Sequence, residues 1–375
     1  MSGIYIHIPF CKQACHYCDF HFSTSLNNKE NLVSSIIKEI DLRQNYLQDK
    51  QIETIYFGGG TPSLLSEKET HLILEKIYKL YQVSPQAEIT VECNPDDLSN
   101  TKLQELKTLN VNRLSIGLQT FNDDELKWMN RAHTASESEA SVKRAQDKGF
   151  ENITIDLIYG SKFSNLSNWK TTLNKAIDLE VKHISSYNLT VEDKTKLGHD
   201  VAKKKEQLID DDKSAELFLE MIDRLQKNHF IHYEISNFGK EHFFSKHNSN
   251  YWKGSHYLGL GPSAHSFNDI SRQWNVSNNA IYINKITSGD LTVFEKEILT
   301  EENRFNEYIL TSLRTIWGVN LDLLKNQFNE EFVKLFQAKV NSYLKDETIS
   351  LKDNSYTLTT QGKLLADKIA SDLFV

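Results

Sequence analysis

The fold prediction starts from one stretch near the N-terminus, residues 5–20, which reads YIHIPFCKQACHYCDF. Three of the four cysteines in the chain, Cys11, Cys15 and Cys18, lie in this stretch with the spacing C-x3-C-x2-C. The apolar residues before them predict a short β-strand. Three thiolates on one tight loop suit an iron–sulfur cluster, because thiolate is the soft ligand that such iron prefers. A [4Fe-4S] cube on three cysteines would keep one iron open for a small chelating molecule.

Two other roles for these cysteines stay open at the level of the residues. A zinc site would take His16 or His21 as its fourth ligand, although structural zinc ligands usually come as two separated pairs, and the remaining cysteine, Cys93, stands alone. A disulfide is disfavoured, because a chain without a recognisable secretion signal is expected to stay reduced. The cluster is therefore the favoured interpretation.

Beyond this loop, apolar runs of strand length alternate with stretches of helical periodicity. Strands are predicted over residues 3–8, 53–57, 88–93, 113–119, 152–158 and 183–189. Helices are predicted near residues 31–46, 67–81, 101–109, 123–148, 168–179 and 211–228. This alternation predicts parallel βαβ units, with ligands gathered at the C-terminal ends of the strands. The sequence thus predicts an α/β fold.

The alternation stops near residue 237, and three regions are predicted. Residues 1–237 would form the main domain, residues 238–300 a loop-rich connection, and residues 301–375 a smaller α+β domain whose helices and two short strands resemble a winged helix. With 43 Lys and Arg against 51 Asp and Glu, the net charge of -8 argues against a nucleic-acid partner. The sequence offers no candidate membrane span, and a cytoplasmic protein is expected, with docking on a membrane surface left open.

The cysteine spacing after a first strand resembles the signature of radical S-adenosylmethionine (SAM) enzymes. Residues 5–18 are similar to the branch of that family that holds oxygen-independent coproporphyrinogen III dehydrogenase and a related heme chaperone. The resemblance implies a partial (β/α)6 barrel and a [4Fe-4S] cluster on Cys11, Cys15 and Cys18. It also implies that the amino and carboxylate groups of SAM chelate the open iron.

The resemblance further implies a set of SAM-contacting residues at the strand ends and around the cysteine loop. These residues are Tyr5, Tyr17, Gly59, Gly60, Thr61, Glu92, Gln119, Arg131, Asp156 and Thr190. Taken from the residues alone, the glycine turn would be a packing turn, Glu92 equally an ion-pair partner or a ligand contact, and Arg131 a surface arginine. Asp156 differs, because a carboxylate inside an apolar strand pattern needs a partner or a ligand.

A second group of residues, in the string HNSNYW at residues 247–252 and shortly after it, contains histidines among aromatic side chains. An imidazole could bind iron while aromatic faces flank a flat macrocycle. The residues alone favour the plainer interpretation, in which these histidines are hydrogen-bonded in a packed loop. The H-N-x-x-Y-W string nevertheless resembles the heme-chaperone branch, which makes His247 the first heme candidate and His256 and His265 the next.

Two features separate the chain from the dehydrogenase. That enzyme has an additional cysteine two residues after the third one, where this chain has Phe20, and it carries an extension before the loop. We therefore expect a heme chaperone with heme-acceptor proteins as partners, among them membrane-associated respiratory proteins, together with an electron donor for the cluster. Whether the protein forms a homodimer is left open. The alternatives are an oxygen-independent coproporphyrinogen III dehydrogenase of porphyrin biosynthesis, and a protein in which SAM only tunes the cluster. Whether the chain is an enzyme stays open.

Overall fold

The computed structural model describes residues 2–375, which form one large mixed sheet, a small sheet and fifteen helices. The strands are β1 (Ser2–Ile8), β2 (Gln51–Gly59), β3 (Gln82–Cys93), β4 (Arg113–Gln119), β5 (Asn152–Tyr159), β6 (His183–Asn188), β7 (Ile231–Glu234), β8 (Asn237–Gly239), β9 (His256–Leu260), β10 (His265–Phe267), β11 (Ser271–Asn275), β12 (Phe294–Ile298), β13 (Val319–Asn320), β14 (Ile349–Lys352) and β15 (Ser355–Leu358).

The helices lie between these strands and complete the element order. They are α1 (Lys29–Leu42), α2 (Glu67–Leu80), α3 (Asn100–Thr108), α4 (Asp123–Trp128), α5 (Ala135–Asp147), α6 (Leu166–Asp178), α7 (Lys196–Ala202), α8 (Asp211–Lys227), α9 (Lys246–Trp252), α10 (Asn279–Ser288), α11 (Glu301–Leu313), α12 (Leu321–Gln327), α13 (Glu330–Lys345), α14 (Thr360–Lys363) and α15 (Ala366–Asp372).

Strands β1 to β6 pair side by side, in parallel and in chain order, with helices in the crossovers. Their central residues are buried, almost without interruption in β4, because a parallel sheet is covered on both faces. The full sheet runs β12-β11-β10-β9-β1-β2-β3-β4-β5-β6-β8-β7. The prediction of an α/β fold built from parallel βαβ units is therefore confirmed, and the C-terminal ends of six strands meet at one edge.

The prediction of one continuous helix near residues 123–148 was wrong. Residues 123–148 form two helices, α4 and α5, because Asn130 takes a left-handed conformation with φ of 58° and Thr134 starts a new helix. Thr134 and Glu137 form a capping box, in which each side chain accepts a hydrogen bond from the other's backbone N–H. The break between α4 and α5 contains Arg131, and it turns this segment toward the cysteine loop.

The loop-rich prediction for residues 238–300 was also wrong. The region forms α9, the four strands β9 to β12 and α10, and β9 extends the main sheet by pairing in parallel with β1. These strands have only three to five residues each. The residues of β11 alternate between buried and half-buried positions, and its three buried residues are all polar. Such short, polar strands have too few apolar residues to give a clear period-2 signal.

The C-terminal residues have a hydrophobic core of their own. One buried cluster extends from Ile4 to Val293, and a second from Phe305 to Leu373. In the second, α11, β13, α12 and α13 precede the hairpin β14–β15, which is the element order of a winged helix. The division at residues 237 and 300 stays our interpretation. Within residues 2–375, none of the helices combines the length and the hydrophobicity that a membrane-spanning helix needs.

Candidate cluster and cofactor site

The cysteine loop follows β1 directly and is fastened to itself by backbone hydrogen bonds. The N–H of Cys11 donates to Ser23 O at 3.0 Å, and the N–H of Ser23 donates to Pro9 O at 2.8 Å. The thiols of Cys11, Cys15 and Cys18 are all half-buried at this loop. The fold therefore presents three partly accessible sulfur donors on one closed turn at the C-terminal end of β1.

Three thiols on one closed turn are a donor set that suits an iron–sulfur cluster, because thiolate is the soft ligand that such iron prefers. Within residues 2–375, no group of three or more His, Cys, Asp or Glu side chains is arranged to hold a single metal ion. A cuboidal cluster spreads its thiolates apart, because each cysteine binds a different iron. Burial raises the pKa of the Cys18 thiol to about 12, so a metal bound there would have to displace the thiol proton.

Arg131 joins the cysteine loop to two other strand ends. Its Nη1 donates to Cys15 Sγ at 3.4 Å, and its Nη2 donates to Asn94 Oδ1 at 2.7 Å and to Gly117 O at 2.8 Å. Its buried Nε has no hydrogen-bond partner among the described residues 2–375. The surface-arginine interpretation does not hold, because this guanidinium is enclosed by the site and keeps one donor free for a ligand such as a carboxylate.

Asn94 is a site residue that the sequence reasoning missed. Its Oδ1 accepts from Arg131, and its Nδ2 donates to Thr61 Oγ1 at 3.1 Å. Thr61 in turn donates to Cys11 Sγ at 3.5 Å. A polar residue directly after the end of β3 was the available signal, because ligands gather at such strand ends. Asn94 thus links two of the predicted SAM contacts to each other.

The glycine turn at the end of β2 packs against the cysteine loop. The N–H of Gly60 donates to Ile8 O at 2.9 Å, and the N–H of Thr61 donates to Phe10 O at 2.7 Å. A Cβ on Gly60 would lie 2.7 Å from Phe10 O, and Gly59 has a φ of 105°. Glycine is required at both positions, for close approach at Gly60 and for the left-handed backbone at Gly59.

We expect Gly60→Ala to destabilise the protein by about 1–3 kcal/mol, because the added methyl group would overlap backbone atoms that cannot rotate away. The free energy of unfolding, measured by urea titration of the cluster-free protein, checks this. An unchanged midpoint for Gly60→Ala would show that the turn and the cysteine loop are farther apart than the structure places them.

Two carboxylates lie inside the parallel strands. Glu92 Oε1 accepts from the Tyr56 hydroxyl at 2.7 Å, and Glu92 Oε2 accepts from the Gly59 N–H at 3.1 Å. Asp156 accepts from the Ser115 hydroxyl at 3.2 Å. Burial, followed by the charge of Asp156, raises the pKa of Glu92 to about 7, and burial raises that of Asp156 to about 6. Both groups titrate near neutral pH.

The remaining predicted SAM contacts lie around the same strand ends. Tyr5 on β1 stacks on Tyr56 with ring centroids 6.1 Å apart, and Tyr17 packs at the edge of a small apolar cluster beside the cysteines. Gln119 ends β4 in a left-handed conformation with φ of 67°. Thr190 is exposed two residues after β6. Eight of the ten predicted contacts thus lie on or directly after β1 to β5, or in the cysteine loop.

His247 is buried in the structure, at the start of α9. Its side chain is 2% exposed, and its ring nitrogens hydrogen-bond Thr54 Oγ1 at 2.8 Å and Tyr251 Oη at 3.0 Å. Its backbone N–H donates to Glu88 at 3.0 Å, and burial lowers its pKa to about 3. In this arrangement neither ring nitrogen of His247 is available to a metal, and the imidazole ties α9 to β2.

The other two histidine candidates have different surroundings. His256 starts β9, half-buried, with its ring edge-on to Phe267 at a centroid distance of 6.3 Å. His265 is exposed on β10 and stacks on Trp274 at 6.0 Å. The structure therefore gives the three histidines three separate environments, and the plainer interpretation of packed, hydrogen-bonded side chains describes His247 well.

Comparisons with known proteins agree with this geometry. Residues 5–176 match the Radical SAM superfamily, and residues 299–365 match the HemN C-terminal domain. A solved structure described as "Coproporphyrinogen III oxidase (HemN) from Escherichia coli is a Radical SAM enzyme" has a TM-score of 0.85 and covers 100% of this chain and 90% of its own, at 20% identity. The fold is that of a radical SAM protein, which confirms the predicted fold class.

Comparison with relatives in sequence shows to which family of radical SAM proteins the chain belongs. The chain is 33% identical to the protein named heme chaperone HemW of Bacillus subtilis, over 98% of both chains. It is also 33% identical to the protein of the same name in Lactococcus lactis, over 98% of this chain and 96% of that one. The chain belongs to the HemW family of radical SAM proteins.

Proposed function

We propose that this protein is a heme chaperone, which binds heme and passes it to acceptor proteins. The observation that carries the proposal is the similarity to proteins named heme chaperone HemW over 98% of the chain. Phe20 supports it, because this side chain is 67% exposed at the position where the dehydrogenase resemblance calls for a further cysteine. The competing proposal is a coproporphyrinogen III dehydrogenase, and this chain lacks the additional cysteine of that enzyme.

Within this proposal, Cys11, Cys15 and Cys18 hold a [4Fe-4S] cluster and the open iron takes SAM. When bound, the pair supplies one-electron cleavage chemistry, and the protein positions the group and excludes water. Arg131 is proposed to bind the SAM carboxylate through its free Nε, which the structure keeps buried and without a partner among residues 2–375. Glu92 is proposed to accept hydrogen bonds from the ribose hydroxyls. The proposed set also includes Tyr5, Tyr17, Gly59, Gly60, Thr61, Gln119, Asp156 and Thr190.

SAM affinity is expected to depend on pH through Glu92. Two ribose donors require the ionised carboxylate, and burial raises the pKa of Glu92 to about 7. Affinity should therefore weaken about tenfold between about pH 8 and pH 6. Calorimetric titration of the cluster-loaded protein with SAM measures this, and Glu92→Gln should bind weakly with little pH dependence. A wild-type affinity that stays flat across this range would contradict the assignment.

The raised pKa of Glu92 also makes the stability of the fold depend on pH, in the opposite sense to SAM affinity. The folded protein holds the Glu92 proton more tightly than the unfolded chain does, since the pKa is raised from 4.5 to about 7. The contribution of this group to the free energy of unfolding therefore falls as the pH rises from 4.5 through 7. SAM binding and the stability contribution of Glu92 should thus change in opposite senses over the upper part of this range.

The remaining parts of the proposal concern partners. We propose a cytoplasmic protein that receives an electron from a donor protein and delivers heme to acceptors, among them membrane-associated respiratory proteins. A homodimer is part of the same proposal. The acidic net charge of -8 supports the absence of a nucleic-acid partner.

The test is an anaerobic heme titration of the cluster-reconstituted protein, followed at the Soret band, and then mixing of the loaded protein with an apo-acceptor. Saturable binding at one heme per chain, followed by transfer that a heme-free control does not give, would support the chaperone. SAM-dependent consumption of coproporphyrinogen III by a protein that binds no heme would overturn it in favour of the dehydrogenase.

A further inference from the structure

A cavity of about 820 Å³ lies between α9, the β9–β11 strands and the C-terminal helices α11 and α12. Its volume is within the range of about 300–1,000 Å³ that small-molecule sites occupy. Its walls share no residue with the cysteine loop, the glycine turn or the two carboxylates of the cluster site. The cavity is therefore a second candidate site, built from both parts of the chain.

Aromatic side chains form much of the cavity wall. Tyr251 and Trp252 come from α9, Tyr257 comes from β9, and Trp317 comes from the loop after α11. The rings of Tyr251 and Tyr257 meet edge to face with centroids 4.5 Å apart. Trp252 Nε1 is buried and has no hydrogen-bond partner within residues 2–375. Such walls favour a flat apolar ligand that also carries polar groups.

The charges at this cavity favour an anion. Arg272 and Arg304 line it, and Lys253 lies over the Trp317 ring at 4.0 Å. Arg272 pairs with Glu307 at 2.8 Å, whereas the ion pair between Arg304 and Asp269 is long, at 4.0 Å. The walls thus carry three cations and two anions in a chain whose net charge is -8. Arginine forks suit carboxylates, since they donate two parallel hydrogen bonds.

We propose that heme occupies this cavity, with its ring between the aromatic side chains and its propionate carboxylates on Arg272 and Arg304. The inference rests on the proposed function, which supplies heme as the cargo. Within residues 2–375 the lining contains no histidine, whereas three tyrosines, Tyr251, Tyr257 and Tyr308, belong to it. Tyrosinate is a known protein ligand of heme iron. His247, hydrogen-bonded to Tyr251, is then a positioning residue and not the iron ligand.

The test compares heme with its propionate dimethyl ester, both titrated at the Soret band. Wild-type protein should bind heme about tenfold or more tightly than the diester, because each charge-assisted hydrogen bond is lost with the ester. The double variant Arg272→Gln/Arg304→Gln should bind both forms alike, at the affinity of the diester. Arg224→Gln, on α8 and paired with Glu220 outside the cavity, is the control and should keep the wild-type preference.

Arg304→Gln alone guards against misfolding, because its contact with Asp269 is long and its side chain is 38% exposed. It should lose part of the preference for heme while its circular dichroism and thermal midpoint match those of the wild type. A double variant that still prefers heme as strongly as the wild type would overturn the cavity assignment and leave the chaperone proposal standing. Wild-type protein without saturable heme binding would overturn both.

Discussion

After anaerobic iron–sulfur reconstitution, Cys15→Ala should contain no stable cluster, whereas Cys93→Ala should contain as much cluster as the wild type. A cube bound by two thiolates has two open irons, and the remaining ligands cannot shield it from solvent. Arg131 adds to the effect, because its Nη1 hydrogen bond at 3.4 Å would lose its sulfur acceptor. Cys93 is a matched control: it is 4% exposed on β3 and donates to Val91 O, away from the loop.

Iron and sulfide content per chain and the visible absorption of the reconstituted protein measure this effect. Wild type and Cys93→Ala should agree, and Cys15→Ala should retain little of either signal. If Cys15→Ala held a normal cluster, Cys15 could not be a ligand, and the fourth cysteine or a histidine such as His16 would have to replace it. SAM binding should disappear together with the cluster, because the proposed anchor of SAM is the open iron.

Heme binding should survive in Cys15→Ala, since the proposed heme cavity shares no lining residue with the cysteine loop. This outcome separates two arrangements. In the first, the cluster and the heme occupy independent sites of one chain. In the second, the cluster loop takes part in heme capture, and both signals are lost together. Loss of heme binding in Cys15→Ala with an unchanged far-ultraviolet spectrum would favour the second arrangement and count against the cavity.

The sequence could predict the cysteine loop and the strands of the parallel sheet because their signals are local. C-x3-C-x2-C is read from eight consecutive residues, and the parallel strands are short segments rich in apolar residues, as in β5 with the sequence NITIDLIY. Arg131 and Asn94 show where local signals end. Their hydrogen bond at 2.7 Å joins residues 37 positions apart, and it depends on the break between α4 and α5 that the sequence reasoning did not place.

For a related reason, the sequence could not show which of the heme candidates would contact a ligand. The H-N-x-x-Y-W string is visible in the sequence, but its period of four residues puts His247 and Tyr251 on one face of a helix whose surroundings come from β2 and β3. Which of the two reaches a ligand depends on how deeply α9 is buried. That depth is set by contacts with Thr54 and Glu88, far away in the chain, and no spacing rule contains it.

Glu39→Ala should lower the free energy of unfolding by about 3–5 kcal/mol, the usual cost of removing one partner from a buried ion pair. The Glu39 side chain is fully buried and pairs with Arg43, 4% exposed, at 3.1 Å. It also accepts hydrogen bonds from the Tyr282 hydroxyl at 2.6 Å and the Gly261 N–H at 2.8 Å. Without Glu39, the Arg43 cation would stay buried and several donors would lose their acceptor.

Urea denaturation of the wild type and the variant, with equal m-values, measures the difference. Glu330→Ala is the control, because Glu330 forms an exposed (i, i+4) pair with Lys334 and its loss should leave the midpoint nearly unchanged. Glu39→Gln should fall between the two, since the amide keeps one acceptor but not the charge. If the urea midpoint of Glu39→Ala equalled that of the control, the Arg43 guanidinium would have to be hydrated in the folded variant.

This buried cluster also connects stability to the proposed heme cavity. Glu39 on α1 holds Gly261, directly after β9, and Asn275, at the end of β11, and the strands β9 to β11 supply Tyr257, Phe267 and Arg272 to the cavity wall. Loosening these strands should weaken heme binding even where the parallel strands β1 to β6 stay folded. Heme affinity of Glu39→Gln, measured well below its unfolding transition, should therefore fall while its cluster content stays at the wild-type level. If cluster and heme signals fell in parallel, Glu39 would act on the fold as a whole, and the cavity wall would not be a separately stabilised unit.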